Sequence, residues 1–441
     1  MKRPDVTLAT PWHFPTPTTT RLDNGLTVWH FHLPGQHITT FEAVLPAELS
    51  SEPGGAEGVA TVALHAIDEG THTHPEGRIG ELLEGNGATL HGLARYRYTT
   101  FGGQAPSRRL ATVLGLFTEV LSEPTYTRRD IEHHVEAQIA SYDSTLASPT
   151  GITRLALRKA LFGSDDRESR PAAGVPATLQ GVTVGSVQAW HRAHFVPAGA
   201  TLLVAGAVDS AEVIAQLEGW RPGPATGAVP APLSEPPAPR VLVVDQPGSV
   251  QATVTLAQRT VTRDDPRWAS LRIAGHSLAG AFASRLNLEL RERLGYTYGI
   301  NGGFSPGVSE GQFSVGGSVR TEVAGDTVAR LLDGLALAQP FSAEEVDDAR
   351  RYLIGVAPLA NETSADIVAQ ASSLAAAGLD PGYMAGHFEA LAKVDADSAT
   401  EAYRALVGPE RCSIAVTGDA ALLLPQLEAV GLSPELINLE G

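Results

Sequence analysis

The chain has 441 residues, of which 43% are hydrophobic and 18% charged, so it can bury ordinary globular cores and is not a disordered protein. Its formal net charge of −17 at pH 7 argues against binding to a nucleic-acid backbone, which requires a basic surface. The single cysteine, Cys412, excludes an internal disulfide framework and a cysteine-based zinc cage.

The start of the chain does not resemble a targeting segment. The first thirty residues contain no apolar stretch behind the Lys-Arg pair, which argues against a secretory signal peptide. No later stretch approaches the length of apolar sequence needed to cross a bilayer. We therefore expect a cytoplasmic protein without a membrane partner.

The first half contains strand-like runs followed by amphipathic helices. β-Branched and aromatic residues in partial alternation predict strands, and apolar residues three and four positions apart predict helices. The predicted strands are LTVWHFHL (26–33), ITTFEAVLPAEL (38–49) and LARYRYTTFGGQA (93–105), and the predicted helices are RRLATVLGLFTEVLSE (108–123) and RRDIEHHVEAQIASYDS (128–144).

A proline-rich stretch divides the chain nearly in half. Residues 221–239 read RPGPATGAVPAPLSEPPAP, and prolines lack an amide donor and fix φ, so this stretch predicts an extended linker. The expected domains are therefore residues 1–220 and 240–441.

The second half repeats the mixture of strands and helices. Because strand runs adjoin strand runs and helices follow helices, the pattern favours an α+β fold with a largely antiparallel sheet. The predicted strands are RVLVVD (240–245), VQATVTLAQRTV (250–261) and GQFSVGGSVRT (311–321), and the predicted helices are EEVDDARRYLIGVA (344–357) and SADIVAQASSLAAAGL (364–379).

One segment of each half aligns with the other without gaps. Residues 182–206 and 394–418 are identical at seven positions, and each pairs a serine that could cap a short helix with a proline-containing turn and an apolar strand ending in glycine. This internal similarity predicts a tandem duplication that yields two domains of like fold. The shared residues include Ser186 and Ser398, Arg192 and Arg404, Pro197 and Pro409, and Gly206 and Gly418.

Three segments of the first half resemble the N-terminal domain of the pitrilysin/insulinase family of inverted-motif zinc peptidases. They are LDNGLTV (22–28), EPGGAEGVATVALHAIDEGT (52–71) and GNGATLHGLARYRYTT (85–100). The resemblance extends over essentially the whole chain, including the duplication. It implies two homologous domains, each a largely antiparallel sheet packed with helices, that form half of a clamshell.

Family members that cleave peptides carry H-x-x-E-H on the helix that residues 58–65 resemble. Histidines four residues apart share a helix face and can bind one zinc ion, and the glutamate acts as general base on the metal-bound water. Anchored on Gly58 and on Gly70-Thr71, the five motif positions hold Thr61, Val62, Ala63, Leu64 and His65. Because only the last histidine is kept, we expect no catalytic residue of the chain's own.

The third zinc ligand of the family is a glutamate on a later helix. The nearest match here is IEHHVEAQIASYDS (131–144), which places Gln138 at the ligand position, before Ile139. One imidazole and a neutral amide cannot hold a catalytic zinc ion. We therefore expect no metal ligands and no cofactor in this chain, and zinc in a partner subunit.

Other histidines offer alternatives to that interpretation. His65 could form an improvised site with neighbouring acids and a histidine of the later helix, and two histidines form a loop pair. For each, a solvated or hydrogen-bonded side chain is the more common role. We expect His65 to be partly buried on a helix whose apolar face suffices for stability. The residues considered are Asp68, Glu69, His133 and His134 for the improvised site, His72 and His74 for the loop pair, and Val59, Val62, Ala63 and Ile67 for the apolar face.

The second half contains a motif that the family uses to bind substrate. GAFASRLNLELRERLGYTYGI (280–300) resembles S-R-L…L-R-E-K-x-G-L-x-Y-S, in which an arginine and a tyrosine seven residues apart serve the substrate. The matching residues are Arg291 and Tyr298. A guanidinium and a phenol directed into one cleft could bind a substrate carbonyl and stabilise the oxyanion that forms on attack by water.

The local structure around this motif is also predictable. A helix from about Ala281 to Leu294 would end at Gly295 and place Tyr298 in a following strand. The competing interpretation is that Arg291 pairs with Glu289 or Glu292 and that Tyr298 is an ordinary core residue. Tyr296 replaces Tyr298 as the candidate if the register slips by two.

These features together predict the non-catalytic subunit of a heterodimeric zinc peptidase. Its partners would be a sister subunit carrying H-x-x-E-H and a peptide substrate. The alternative is an inert scaffold of the same fold, like the core subunits of the respiratory bc1 complex. An active homodimer with an unusual metal is a third possibility, for which the sequence offers no coordination set.

Overall fold

Two six-stranded sheets form the centre of the computed structural model, which describes residues 12–221, 223 and 232–439. The first sheet contains β1 (Thr18–Arg21), β2 (Thr27–His32), β3 (Ile38–Leu45), β4 (Thr89–Arg95), β5 (Tyr98–Pro106) and β6 (Thr201–Gly206). The second contains β7 (Val241–Asp245), β8 (Gln251–Thr260), β9 (Asn301–Ser305), β10 (Gly311–Arg320), β11 (Ser413–Gly418) and β12 (Pro434–Ile437).

Helices pack on both sheets, which confirms the α+β class and the presence of two domains. Those of the first half are α1 (Val59–His65), α2 (Arg78–Gly85), α3 (Leu110–Ser122), α4 (Arg128–Leu146), α5 (Pro149–Leu161), α6 (Pro176–Leu179), α7 (Val184–His194) and α8 (Ser210–Leu217). Those of the second half are α9 (Trp268–Gly275), α10 (Arg285–Asn287), α11 (Ala324–Leu335), α12 (Ala343–Gly355), α13 (Ser364–Ala376), α14 (Tyr383–Lys393), α15 (Ala396–Leu406) and α16 (Ala420–Ala429).

The first sheet has the strand order β1-β2-β6-β3-β5-β4. Its strands are antiparallel except for the parallel pair of β2 and β6. In the central strand β3, Phe41 lies opposite Val204 on one side and Gly103 on the other, and most of the strand is buried on both faces. At the edge of the sheet, β4 exposes alternate side chains, as expected of a strand with one solvated face.

The second sheet has the corresponding order β12-β7-β11-β8-β10-β9, except that its edge strand β12 is parallel to β7, where β1 is antiparallel to β2. The pair β7 and β11 is parallel, like β2 and β6, and β9 occupies the edge that β4 occupies in the first sheet. Helix α7 precedes β6 as α15 precedes β11, in the two segments whose sequences align. The structure therefore repeats the unit that the aligned residues 182–206 and 394–418 predict.

The aligned serines differ from expectation in one detail. Thr183 and Asp395 are the capping residues, and their side chains accept bonds from the amides of Ser186 and Ser398. Each serine hydroxyl lies near the capping residue's amide, at 2.9 Å from Thr183 N and 3.1 Å from Asp395 N. Both halves thus use a reciprocal capping box, which satisfies two donors at the helix start.

Each half contributes a helix to the other half's sheet. Helix α13 packs on β3 and β6, and its buried Ile367 and Leu374 join the cluster that contains Phe31 of the first sheet. Helix α5 packs on β8 and β11 in the same way, with Leu157 in the cluster that contains Leu242. The two sheets are therefore held in one arrangement by exchanged helices.

Part of the predicted linker, residues 222 and 224–231, lies outside the described residues. Residues 232–239 form neither helix nor strand, and β7 follows at Val241. The boundaries at 220 and 240 remain predictions.

One predicted strand proved to be two. The run 93–105 contains the end of β4 and most of β5, which are joined by a turn at Tyr96 and Arg97. The turn is fixed by tertiary contacts that the alternation of residue types does not report. The Tyr96 hydroxyl donates to the Arg170 carbonyl at 2.7 Å, and Arg97 pairs with Glu168 at 2.6 Å.

Candidate functional site

Helix α1, which carries the degenerate zinc motif, is fixed at its start by a buried carboxylate. Glu52 Oε1 accepts hydrogen bonds from the amides of Gly58 and Ala60 at 2.9 and 3.1 Å, and its other oxygen pairs with Arg167 at 2.8 Å. Gly58 is required because its φ is 103° and a Cβ there would lie 2.5 Å from the Ala173 carbonyl oxygen. A negative charge at the positive end of a helix is stabilising.

The remaining motif positions serve packing. Val59, Val62, Ala63 and Ile67 are fully buried, so the apolar face that the sequence predicts is present. Leu64, at the position of the general base, is also buried. Its Cδ1 packs against Gly92 of β4, and a Cβ on residue 92 would lie only 2.7 Å from that Cδ1. A leucine cannot accept a proton from water, so this position has no acid–base chemistry.

The structure brings together the two residues that the sequence places at zinc-ligand positions. Gln138 Nε2 of α4 lies 2.9 Å from His65 Nδ1, so the amide can donate to the imidazole. His65 is the last residue of α1 and is more exposed than expected. Partial burial and the neighbouring His134 lower the pKa of His65, which keeps its imidazole neutral at pH 7.

The improvised metal sites do not assemble. His134 Nε2 pairs with Glu69 Oε1 at 2.8 Å, and the His134 ring lies 6.2 Å from that of His65. In the loop, His74 Nδ1 pairs with Glu119 Oε1 at 2.9 Å. Within residues 12–221, 223 and 232–439, no group of three or more His, Cys, Asp or Glu side chains could hold a metal ion.

The helix that carries Arg291 begins later than predicted. Ala281 is extended, with φ −82° and ψ 152°, and α10 starts at Arg285. The reason is Asn287, whose amide group donates to the Ala281 and Ile300 carbonyls and so ties the preceding loop to β9. The helix continues as a π segment, Leu288–Arg293, and ends at Gly295, whose φ of 64° agrees with the predicted termination.

Arg291 is held by its own surroundings. Its Nε lies 2.9 Å from Glu292 Oε1, its Nη2 donates to the Phe282 carbonyl at 3.0 Å, and its guanidinium lies over the Phe282 ring at 3.5 Å from the centroid. The pairing with Glu292 is one of the alternatives that the sequence left open. The Arg291 side chain is 14% exposed and that of Glu292 is 57% exposed, so the guanidinium is mostly covered while its partner faces solvent.

Tyr298 lies in neither a strand nor the core. It is 96% exposed and precedes β9, which begins at Asn301, so the predicted strand position was wrong. The cause is Thr297, whose hydroxyl donates to the Ser318 and Gly299 carbonyls and holds this segment in a turn. No hydrogen bond joins Arg291 to Tyr298 in the part of the chain that the structure describes.

Tyr296, the rival candidate, has a structural role. Its hydroxyl donates to Asp326 Oδ2 at 2.9 Å, and Asp326 also accepts from Arg330 Nε at 2.8 Å. Arg330 in turn pairs with Glu289 at 2.8 Å. A phenol engaged in this network is less available to a ligand than the exposed Tyr298.

The sequence interpretation missed a cavity in the second half. It has a volume of about 350 Å³ and lies beside the edge strand β9, between α9, the π segment His276–Gly280 and α12. Arg272, His276 and Leu353 line it together with the strand residues 301–305. The internal duplication could have pointed to this cavity, because α9 and β9 of the second half are the counterparts of α1 and β4 of the first.

No helix among residues 12–221, 223 and 232–439 is both long enough and apolar enough to cross a membrane.

Comparisons with known proteins agree with the fold. Residues 50–165 match the family model described as insulinase (peptidase family M16), and residues 181–353 match the model described as peptidase M16 inactive domain. An uncharacterized zinc protease of Streptomyces coelicolor is 23% identical over 291 residues, which cover 64% of this chain and 63% of that protein. The match thus spans less than two thirds of that relative's length.

Two solved structures show the same fold. The peptidase M16 inactive domain from Pseudomonas fluorescens has a TM-score of 0.83 at 24% identity, covering 91% of this chain and 98% of that one. A chain of complex III2 from Candida albicans has a TM-score of 0.77 at 14% identity, covering 94% and 99%. The two model matches together cover most of the sequence, and the chain belongs to the insulinase family of peptidases, M16.

Proposed function

We propose that this protein is the non-catalytic subunit of a heterodimeric zinc peptidase of the insulinase family. It would contribute peptide binding and transition-state stabilisation to the active site of a partner that carries H-x-x-E-H and the zinc ion. The observation that supports this most strongly is the contact between His65 and Gln138, where the family's active members hold a metal.

This chain alone lacks both groups that hydrolysis requires, a set of zinc ligands and a general base. A catalytic zinc site needs three protein ligands and an open position for water, and here one imidazole faces a neutral amide. The base position is the buried Leu64, which packs on β4. We therefore infer that the chain is inactive on its own.

Arg291 and Tyr298 are the groups that we expect to act on the substrate. Tyr298 presents a phenol to solvent with almost no packing role, and a large exposed aromatic side chain is suited to contact with a partner or ligand. Arg291 would exchange its contact with Glu292 for a substrate carbonyl.

Peptide backbone would bind at a sheet edge. Strand β4 has β5 on one side only, and its alternate side chains are exposed. An extended peptide that adds to such an edge forms main-chain hydrogen bonds, which recognise backbone more than sequence. We therefore expect loose substrate selectivity, in a pair that acts in the cytoplasm.

The test is to purify the chain with its sister subunit and measure cleavage of an unstructured fluorogenic peptide. Arg291→Ala should lower kcat about 10²- to 10³-fold without separating the subunits, since loss of one oxyanion donor has that effect in other enzymes. Tyr298→Phe should also slow turnover. Tyr296→Phe is the matched control, because it removes a hydroxyl bound to Asp326 and should leave kcat unchanged.

The second candidate is a catalytically inert scaffold. The pairing of Arg291 with Glu292 favours it. Unchanged turnover in both Arg291→Ala and Tyr298→Phe would favour the scaffold. Co-purification only with proteins that lack H-x-x-E-H would do the same.

A further inference from the structure

A cavity of about 230 Å³ lies where the two halves of the chain meet. The first half lines it with residues of α5 and of the turn between β4 and β5. The second half lines it with Arg259 of β8 and with the turn 306–310 that joins β9 to β10. Because both halves contribute, a ligand held here would contact both of them.

Arg158 of α5 is a charged group of this cavity that has no partner. Among the described residues, no hydrogen bond or ion pair reaches its guanidinium, and its Nε and Nη2 are both buried. The other arginines that line this part of the structure are paired, Arg97 with Glu168 at 2.6 Å and Arg259 with Glu310. Buried donors in native proteins are nearly always hydrogen-bonded, so an unpaired guanidinium on a cavity wall points to a ligand.

Aromatic rings hold the Arg158 guanidinium beside the cavity. Its Cζ lies 3.9 Å from the centroid of the Tyr96 ring and 5.0 Å from that of Phe162. The Tyr96 ring is itself fixed, because its hydroxyl donates to the Arg170 carbonyl. Cation–π contacts offset part of the cost of burying a charge, but they give the N–H groups no acceptor oxygen. Nη1, which is not enclosed with the other two nitrogens, is left to donate to a ligand in the cavity.

The cavity offers a single unpaired charge. Burial lowers the pKa of Arg158, and the carboxylate that opposes this effect, Glu168, is engaged by Arg97. The charge of Arg259 is likewise matched by Glu310. A singly charged carboxylate therefore suits the site better than a phosphate with two charges, and its hydrogen bond to a guanidinium would be charge-assisted.

The rest of the wall is mostly apolar. Phe162 comes from the first half, and Pro306 and Val308 come from the turn of the second half. The volume is below the range of about 300–1,000 Å³ that is usual for sites that enclose drug-sized ligands. A ligand that fits is therefore small and has an apolar body next to one negative charge.

We propose that this cavity binds a small monocarboxylate with an apolar body, whose carboxylate accepts a hydrogen bond from Arg158 and whose body packs on Phe162 and Val308. The proposal is independent of the proposed function, because it requires neither a partner subunit nor a peptide. It assigns a ligand site to the junction of the two halves, and none of the lining residues belongs to the degenerate zinc motif or to the Arg291 motif.

Isothermal titration calorimetry on the full-length chain tests the proposal. The probe is phenylacetate. Phenylacetamide has the same shape without the charge, and acetate has the charge without the ring. The variant is Arg158→Met, which keeps the aliphatic stem and removes a buried charge that has no counter-ion. The matched control is Arg154→Met, which removes an exposed arginine one turn earlier on α5 that does not line the cavity.

We expect the wild-type chain and Arg154→Met to bind phenylacetate at least about tenfold more tightly than either phenylacetamide or acetate. Arg158→Met should bind phenylacetate no more tightly than phenylacetamide. Val308→Asp, which places a carboxylate in the cavity from the second half, should lose the binding of phenylacetate through like-charge repulsion. Phenylacetate should also raise the Tm of the wild-type chain and leave that of Arg158→Met unchanged.

Three results would overturn the proposal. They are equal binding of phenylacetate and phenylacetamide to the wild-type chain, a preference for phenylacetate that persists in Arg158→Met or Val308→Asp, and no measurable binding of any of the three compounds at millimolar concentration. The comparison of the three compounds uses the wild-type chain alone and stands even if a variant does not fold. None of these results bears on Arg291 and Tyr298, which are tested separately by turnover of the reconstituted pair.

Discussion

The region around α1 in the first half and the region around α9 in the second share a backbone frame but differ in what fills it. In the first, His65 and Gln138 are in direct contact and Leu64 is buried against β4. In the second, Arg272 and His276 border a cavity of about 350 Å³. The duplication thus preserved helix, edge strand and second helix, while the side chains set the chemistry of each site.

The comparison shows that the frame does not depend on a metal. Helix α1 is stabilised by its apolar face and by the Glu52 carboxylate at its start. Helix α9 is stabilised by Trp268, Leu271 and other buried residues. Since neither helix needs an ion, the two regions were free to diverge in their polar residues.

The largest expected effect comes from restoring zinc ligands on α1 and α4 of the first half. In the double variant Thr61→His with Gln138→Glu, two histidines four residues apart would face a carboxylate on α4, which is a set of three zinc ligands. We expect this variant to retain about one equivalent of zinc after dialysis, where the wild-type chain retains none. Metal content measured by mass spectrometry checks the result.

The matched control for that experiment is Thr61→His with Gln138→Ala, which has both histidines and no carboxylate. It should lose zinc on dialysis. If the variant with glutamate also fails to hold zinc while remaining folded, the assignment of Gln138 to the third ligand position is wrong.

A smaller effect comes from the response of helix α7 to acid. In α7, burial lowers the pKa of His191 and of His194 to about 4, whereas the aligned residues of α15 are Tyr403 and Leu406. Because the unfolded chain takes up protons below pH 6.5 and the folded chain does not, stability falls as the pH drops from about 6.5 toward 4. The expected loss is about 2 kcal/mol per histidine between pH 7 and pH 5.

Urea unfolding at several pH values measures this loss, with fluorescence of Trp190, which packs against His194, reporting on the first half. Replacing both histidines with the second-half residues, as His191→Tyr with His194→Leu, should reduce the pH dependence between 5 and 7. His387 of α14, whose pKa burial also lowers to about 4, should retain its share. An unchanged pH profile in that variant would show that the acid response arises elsewhere.

Much of the fold follows from local sequence signals. The aligned segments of the two halves predict the repeated helix and strand, and the contact of Gln138 with His65 agrees with the positions assigned from the motif. These predictions succeed because helix periodicity, strand alternation and motif spacing are properties of neighbouring residues.

The misses have a common physical cause. The helix before Arg291 starts late because Asn287 binds the Ala281 and Ile300 carbonyls, and Tyr298 leaves the strand because Thr297 binds Ser318. Each is a tertiary hydrogen bond between segments that periodicity treats separately. The exchange of α5 and α13 between the sheets, and the cavity at Arg272, likewise depend on which distant elements meet.

The central claim is that this chain borrows its hydrolytic chemistry from a partner, and the most direct test is the zinc content of two purified samples. The chain alone should retain no stoichiometric zinc after dialysis, and its complex with the sister subunit should hold about one equivalent and cleave peptide. A tightly bound equivalent in the isolated chain, lost on His65→Ala, would contradict the account.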